Sequence, residues 1–191
     1  GQPGTGAGDL ARPLALRKSK RAHIVGVAEG GAVAAQFALE NPARTRSLFL
    51  AGARLGVTDA DFQAMNKRVW LPDNHNTMPH FAEVGASYRG GNPVGTKGWG
   101  EAAAAAHPTG PAPAQPAGAQ PLTWARLKTL KTRTMLVCGD CDHYSSAAQN
   151  RLIAQHIPNR ELAVIDEAGA SAYWEQPDAF NGLLIDFLRR N

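Results

Sequence analysis

The strongest constraint in this chain is the run Gly26-Val27-Ala28-Glu29-Gly30-Gly31, which lies between a short apolar segment and a small-residue helical pattern. Small side chains on both sides of a strand-to-helix junction let the backbone turn sharply there. Two chemistries use such a junction. In a dinucleotide fingerprint, alanine would stand at the middle glycine, helix N–H groups would face a pyrophosphate, and an acidic residue about 20 positions on would hold the ribose. The segment at that distance is Leu48-Phe49-Leu50-Ala51-Gly52, which has no acid. In a nucleophile elbow, G-x-S-x-G, the turn presents one side chain at the top of the sheet. Here the presented residue is Ala28.

The surrounding sequence alternates β-rich runs with helical patterns, as βαβ units of a parallel sheet do. Strands are expected at Ala22 to Val25, Ser47 to Ala51, Thr134 to Cys138 and Leu162 to Ile165, each buried on both faces. Helices are expected at Gly31 to Glu40, Ser146 to His156 and Asp178 to Arg190. The last carries Phe180, Leu183, Leu184, Phe187 and Leu188 along one stripe. The fold class is therefore α/β, a three-layer, mostly parallel sheet with helices on both faces. Residues 1–20 are Gly-rich at the start, with little to bury, and read as a flexible leader. Residues 21–52 and 134–191 form the core. Between them, residues 53–133 make an insertion of about eighty residues, far beyond an ordinary α/β loop. It is expected to be a helical cap, with short helices near Asp59 to Val69, Met78 to Val84 and Leu122 to Leu130. Ala102 to Ala106 could extend a helix, and His107 to Pro121 is an extended connector.

The segment from Ala32 through Asn41-Pro42 to the strand ending at Ala51 resembles the stretch after the nucleophile in α/β-hydrolases. The C-terminal part adds two landmarks: Gly139-Asp140-Cys141-Asp142 after a strand, and Ala168-Gly169-Ala170-Ser171 before Tyr173-Trp174-Glu175-Gln176-Pro177. Ala86-Ser87-Tyr88-Arg89 with Asn92-Pro93 is similar to capped members of the group. The resemblance, to the branch that hydrolyses small-molecule esters or C–C bonds, implies Ala28 at the nucleophile position, Asp142 as the acid and Ala170 at the base position. It also implies the Glu29 backbone N–H as one oxyanion donor, and further strands ahead of the elbow that residues 1–20 do not supply. With alanine in place of the serine and histidine, the chain is expected to be inactive or nearly so. The alternative is a non-catalytic binding or interaction protein using the cap pocket or the open sheet edge.

The remaining candidates are weaker. Cys138-Gly139-Asp140-Cys141 is formally a C-x-x-C, but it ends a strand instead of opening a helix, so two ordinary thiols are expected. A zinc site from these cysteines and His143 lacks a fourth ligand. His143 follows Asp142 too closely to face both it and position 28. His75 and His80 fall in the cap, and His23, His107 and His156 are expected to be surface or structural. Trp70, Phe81, Tyr88 and Trp99 either line a pocket or pack the cap. The net charge of +4 includes a cluster at Arg12, Arg17, Lys18, Lys20 and Arg21, without interleaved aromatics for stacking on bases. No cofactor, metal, nucleic-acid or membrane partner is expected. The expected partners are a small molecule in the cap pocket and a protein or second copy along the open edge. Two cysteines and no apolar leader suggest the cytoplasm.

Overall fold

The computed structural model describes residues 6–70, 78–106 and 120–191. Among these, β1 (Ala22–Val27), β2 (Thr45–Ala51), β3 (Thr134–Gly139) and β4 (Arg160–Ile165) form one parallel sheet in chain order. The strands fall within two residues of the expected runs, because each is a short apolar segment closed by turn residues. The connecting helices α2 (Gly30–Glu40), α8 (Ala147–Gln155) and α10 (Pro177–Arg189) also lie where their periodicity places them, with the short helix α9 (Ala172–Glu175) just before the last.

Alternation along β2 divides the core into two. Leu48 and Leu50 pack on the face covered by α2 and α8, with Phe37, Ile153 and Ile157. Phe49 and Ala51 face the other way, onto Phe180 and Phe187 of α10. That arrangement gives the three layers of the α/β class. The expectation that every strand is buried on both faces holds for β3 and nearly all of β2, and fails at the edges. In β1, Ile24 is buried under α2 while Val25 is 45% exposed, because α10 does not extend across β1. In β4 only Ile165 is fully buried.

Within the segment expected to be a flexible leader, the described residues begin with a helix. Gly6–Leu16 form helix α1. Ala7, Leu10, Ala11 and Leu14 recur at i, i+3, i+4 and i+7, and this face packs into the same cluster as α2. Gly6 is part of the fit: a Cβ there would meet the Val33 side chain at 3.0 Å.

Between β2 and β3 the described residues form α3 (Ala60–Val69), α4 (Pro79–Glu83), α5 (Ala86–Gly91), α6 (Pro93–Ala106) and α7 (Trp124–Leu127). The first two match the expected helices. The helix expected over Leu122 to Leu130 shortens to α7, α6 takes in the run Ala102 to Ala106 expected to extend a helix, and α5 and the first part of α6 form where no helix was expected. The expected connector His107 to Pro121 lies outside the described residues except at its last two positions. The inserted segment is tied to the turn after β4: Trp99 Nε1 donates to Ser171 Oγ (3.0 Å) and Trp174 Nε1 donates to the Gly95 carbonyl (3.2 Å). No helix among the described residues is long and apolar enough to cross a membrane.

Candidate active site

The junction between β1 and α2 folds as a tight elbow. Ala28 has φ +48°, a left-handed conformation that costs a non-glycine residue about 1 kcal/mol or more. Its N–H donates to the Ala51 carbonyl (3.1 Å), and its carbonyl accepts from Gly31 (3.0 Å) and Arg54 (3.0 Å). Two of the nearby glycines, Gly26 and Gly31, are required by space, whereas Gly30 is not. A Cβ on Gly26 would lie 2.7 Å from the Gly30 carbonyl oxygen and from Gly31 Cα, and one on Gly31 would lie 2.3 Å from Ala53 Cβ. Ala28 is half-buried at the crest. The N–H of Glu29, the next residue, donates to no backbone acceptor among the described residues.

Asp142 sits in the turn after β3 and is only 3% exposed. Its Oδ1 accepts from the N–H groups of Tyr144 (2.9 Å) and Ser145 (2.8 Å), whereas its Oδ2 has no hydrogen-bond partner among the described residues. The turn after β4 lies directly against this one. A Cβ on Gly139 would overlap the Ala168 carbonyl at 2.0 Å, and Cys141 N–H donates to that carbonyl (2.9 Å). Ala170 follows in the same turn. The Asp142 Oδ2 and the Ala170 carbonyl oxygen each lie 3.3 Å from the point where Gly52 would carry a Cβ. Gly52, with φ +51°, follows Ala51, the acceptor of the Ala28 N–H. The turns bearing Ala28, Asp142 and Ala170 thus converge around Gly52.

A buried carboxylate that the sequence did not single out clamps this region. Glu175 accepts from Gly85 N–H (2.7 Å) and Gly169 N–H (2.9 Å), joining the inserted segment to the turn that carries Ala170. Serving both glycines requires close approach: a Cβ on Gly169 would lie 2.6 Å from Gly85 N. Glu83 lies nearby, and its carbonyl accepts from Ser171 N–H (3.0 Å).

Burial raises the pKa of Asp142, against the pull of the Ser145 and Tyr144 N–H groups. Burial raises Glu83 too, opposed by Arg54 and reinforced by the charge of Asp142. Glu175 is raised by burial in the same way, opposed by the Gly169 and Gly85 N–H groups and by Arg89. A carboxyl group whose folded pKa exceeds its unfolded value favours the fold while protonated, and that contribution is lost as pH rises through the folded pKa. His23, lowered by its partial burial and by Arg46, works in the opposite sense below its ordinary value. Asp61, Asp140 and Glu161 are lowered, so stability falls again below the ordinary carboxylate range. The expected outcome is that these three carboxyl groups lower the melting temperature as pH rises from the ordinary carboxylate range towards neutral. Asp142→Asn should flatten that profile, mainly by raising the value at neutral pH. A profile unchanged by Asp142→Asn would show that Asp142 is not the strained group.

Among the histidines, His23 Nδ1 pairs with Ser47 Oγ (2.7 Å), His156 stacks on Trp124 (3.9 Å between centroids) and His80 lies against Phe81. His143 lies beside Tyr144 and gives no hydrogen bond to Asp142 Oδ2. His75 and His107 fall outside the described residues. Burial pushes the Cys138 thiol up to about 12 and also raises Cys141, the reverse of what a reactive thiolate needs. Of the aromatic set, Trp99 is buried in the contact with Ser171, and Phe81 is exposed. Trp70 lines a cleft of about 320 Å³ beside Glu29, with Arg54, Phe62, Asn66 and Tyr144. Arg54 pairs with Glu29 and lies 4.9 Å over the Tyr144 ring. This cleft flanks the elbow, and neither Asp142 nor Ala170 lines it.

A family model described as the alpha/beta hydrolase family matches residues 3–183. The 2-hydroxy-6-oxo-6-phenylhexa-2,4-dienoate hydrolase of Comamonas testosteroni is 27% identical over 192 residues, covering 90% of this chain and 64% of that protein. The 2-hydroxy-6-oxononadienedioate/2-hydroxy-6-oxononatrienedioate hydrolase of the same organism is 27% identical over 191 residues, covering 88% and 63%. The chain thus spans less than two thirds of the length of either relative. Among solved structures, a thermophilic esterase from Thermogutta terrifontis superposes with a TM-score of 0.73 at 20% identity, covering 100% of this chain and 74% of that one. A meta-cleavage product hydrolase from Pseudomonas fluorescens gives a TM-score of 0.69 at 22% identity, covering 98% and 73%. With a family match over residues 3–183 and a parallel sheet flanked by helices that agrees with it, this chain belongs to the alpha/beta hydrolase family.

Proposed function

We propose that this chain retains the site of a small-molecule ester or C–C bond hydrolase while lacking two of the three side chains that would run it. Ala28 stands at the nucleophile position, Ala170 at the base position, and Asp142 is the surviving acid. The observation that carries this reading is the unpartnered Asp142 Oδ2, buried and facing the same point as the Ala170 carbonyl. With the usual side chains in place, a serine at the elbow attacks a carbonyl carbon, a histidine takes its proton, and the carboxylate orients the imidazolium. The Glu29 N–H is one donor for the resulting oxyanion. Alanine neither attacks nor accepts a proton, so the chain binds ligand and turns over slowly or not at all. The names of the relatives suggest 2-hydroxy-6-oxo-dienoates as the ligand class. The two free thiols, one of them exposed, fit a reducing compartment such as the cytoplasm.

The test is hydrolysis of p-nitrophenyl acetate by the chain as it stands and by an Ala28→Ser, Ala170→His variant. Turnover in the variant alone supports the reading, and a folded, silent variant overturns it. A second reading, a non-catalytic interaction protein, draws on the exposed Val25 and Val27 on β1, whose outer edge is unpaired among the described residues.

A further inference from the structure

All four parallel strands begin at one end of the sheet, and α1, α2, α8 and α10 bring their C-termini to that same end. This topology gathers cations that are scattered along the sequence. The turn between α1 and β1 carries Arg17, Lys18, Lys20 and Arg21, and the start of β2 adds Arg44 and Arg46. Lys131 and Arg133 lead into β3, Arg160 opens β4, and Arg189 and Arg190 close α10. Hydrogen bonds tie these segments into one face. Arg21 donates to the Thr45 carbonyl (3.1 Å), Arg44 to the Ala11 carbonyl (3.4 Å), and Arg133 (2.8 Å) and Arg190 (2.9 Å) both donate to Glu161 on β4. Glu161 and Asp186 are thereby taken up by Arg133 and Arg190, whereas Arg17, Lys18, Lys20, Arg46, Arg160 and Arg189 are exposed and make no ion pair among the described residues.

Cations near helix C-termini offset the helix dipoles, and four such ends carry about two negative charges together. Six unpaired cations exceed that need. The opposite end of the sheet, where the elbow lies, has the reverse character: Glu29, Asp140, Asp166, Glu167 and Asp178 follow the strands there, with Arg54 paired to Glu29. Leu16, 84% exposed at the tip of α1, stands next to Arg17 on the basic side. We propose that this basic end docks on an anionic lipid surface, with Leu16 entering the headgroup region and the elbow facing water at the far pole. The cluster from Arg12 to Arg21 taken alone predicts no such partner, and the fold supplies the rest of the face. The field of the molecule orients it accordingly, basic end towards the anionic surface. A nucleic acid fits less well. The helix N-termini that would hold phosphates lie at the other end, and the exposed aromatics Phe81, Tyr173 and Trp174 are not among these cations to stack on bases. The proposal is independent of the triad reading.

The experiment is co-sedimentation of the chain with vesicles of about 30% phosphatidylglycerol in phosphatidylcholine, at about 50 mM and about 500 mM salt. Binding at the lower salt, release at the higher, and none to pure phosphatidylcholine are expected. Each cation at an anionic bilayer strengthens binding roughly fivefold. Lys18→Glu with Lys20→Glu and, separately, Arg160→Glu with Arg189→Glu should therefore each weaken binding at least about tenfold. All four side chains are exposed and unpaired, so both variants should stay folded, which their melting temperatures check. Lys67→Glu with Arg68→Glu, on α3 away from this face, should leave binding within about twofold. Leu16→Ser should weaken it at least about threefold. No binding to the anionic vesicles, binding that survives the higher salt, or binding unmoved by the Arg160 and Arg189 reversals or by Leu16→Ser overturns the proposal. Binding of a duplex oligonucleotide by a chain that ignores the vesicles assigns the face to nucleic acid and overturns the lipid proposal equally.

Discussion

Ala28→Ser and Ala170→His, introduced together, are expected to confer ester hydrolysis exceeding that of either single variant by at least about 10³-fold, because triad members act as a unit. Each substitution fits its place. The left-handed backbone at position 28 is already accommodated by alanine, and serine adds one hydroxyl without branching at Cβ. The Ala170 carbonyl and Asp142 Oδ2 lie at the same 3.3 Å from the Gly52 Cβ position, so on the proposed reading a histidine at 170 would use the carboxylate as acceptor for Nδ1–H and keep Nε2 for the serine. Adding Asp142→Asn to the double variant should lower the gained rate by about 10⁴-fold, since the amide favours the wrong tautomer. The ceiling is set by the oxyanion hole. On the proposed reading the Glu29 N–H is one donor, and in this fold the second comes from a loop after an earlier strand. A missing donor lowers the rate by about 10²–10³-fold. Initial rates against buffer and against both single variants are the measurement. A double variant no faster than Ala170→His alone would mean that residue 28 does not attack.

The parts of this fold legible in the sequence are those fixed by local rules. The apolar runs of β2 and β3, closed by Gly52 and Gly139, mark central strands. The stripe from Phe180 to Leu188 marks α10, and the structure buries Phe180 and Phe187. The elbow was legible because Gly26 and Gly31 leave no room for a side chain. What escaped the sequence depends on tertiary contact. Helix α1 hides a regular stripe among residues whose glycine content suggests a loop, and its small side chains matter only once α2 is beside them. Helix α6 contains Gly95 and Gly98, and it is held by the bonds from Trp99 to Ser171 and from Trp174 to Gly95. The Glu175 clamp joins Gly85 to the same turn across 90 positions of sequence. The unpartnered oxygen of Asp142 becomes visible only when three turns meet at Gly52.

Phe49→Ala is expected to destabilise the fold by about 3–5 kcal/mol, lowering the melting temperature by roughly 6 to 20 °C. Phe49 is fully buried in the central strand β2, with its ring 5.8 Å from Phe180 and 6.0 Å from Phe187. Truncation removes the contact that seats α10 on the sheet. Neighbouring backbone fixes the strand on both sides, so the space cannot close. Such a loss is a large share of the about 5–15 kcal/mol that holds a domain together. Val25→Thr, on the face of β1 that α10 does not reach, is the matched test of exposure. It should change stability by less than about 0.5 kcal/mol, because its hydroxyl remains in water. A partner or second copy covering β1 would bury that hydroxyl, raising the loss to about 1–3 kcal/mol. With a second copy as the cover, stability would also depend on protein concentration. Denaturant melts of the two variants at two concentrations therefore locate the core and decide whether β1 stands uncovered in solution.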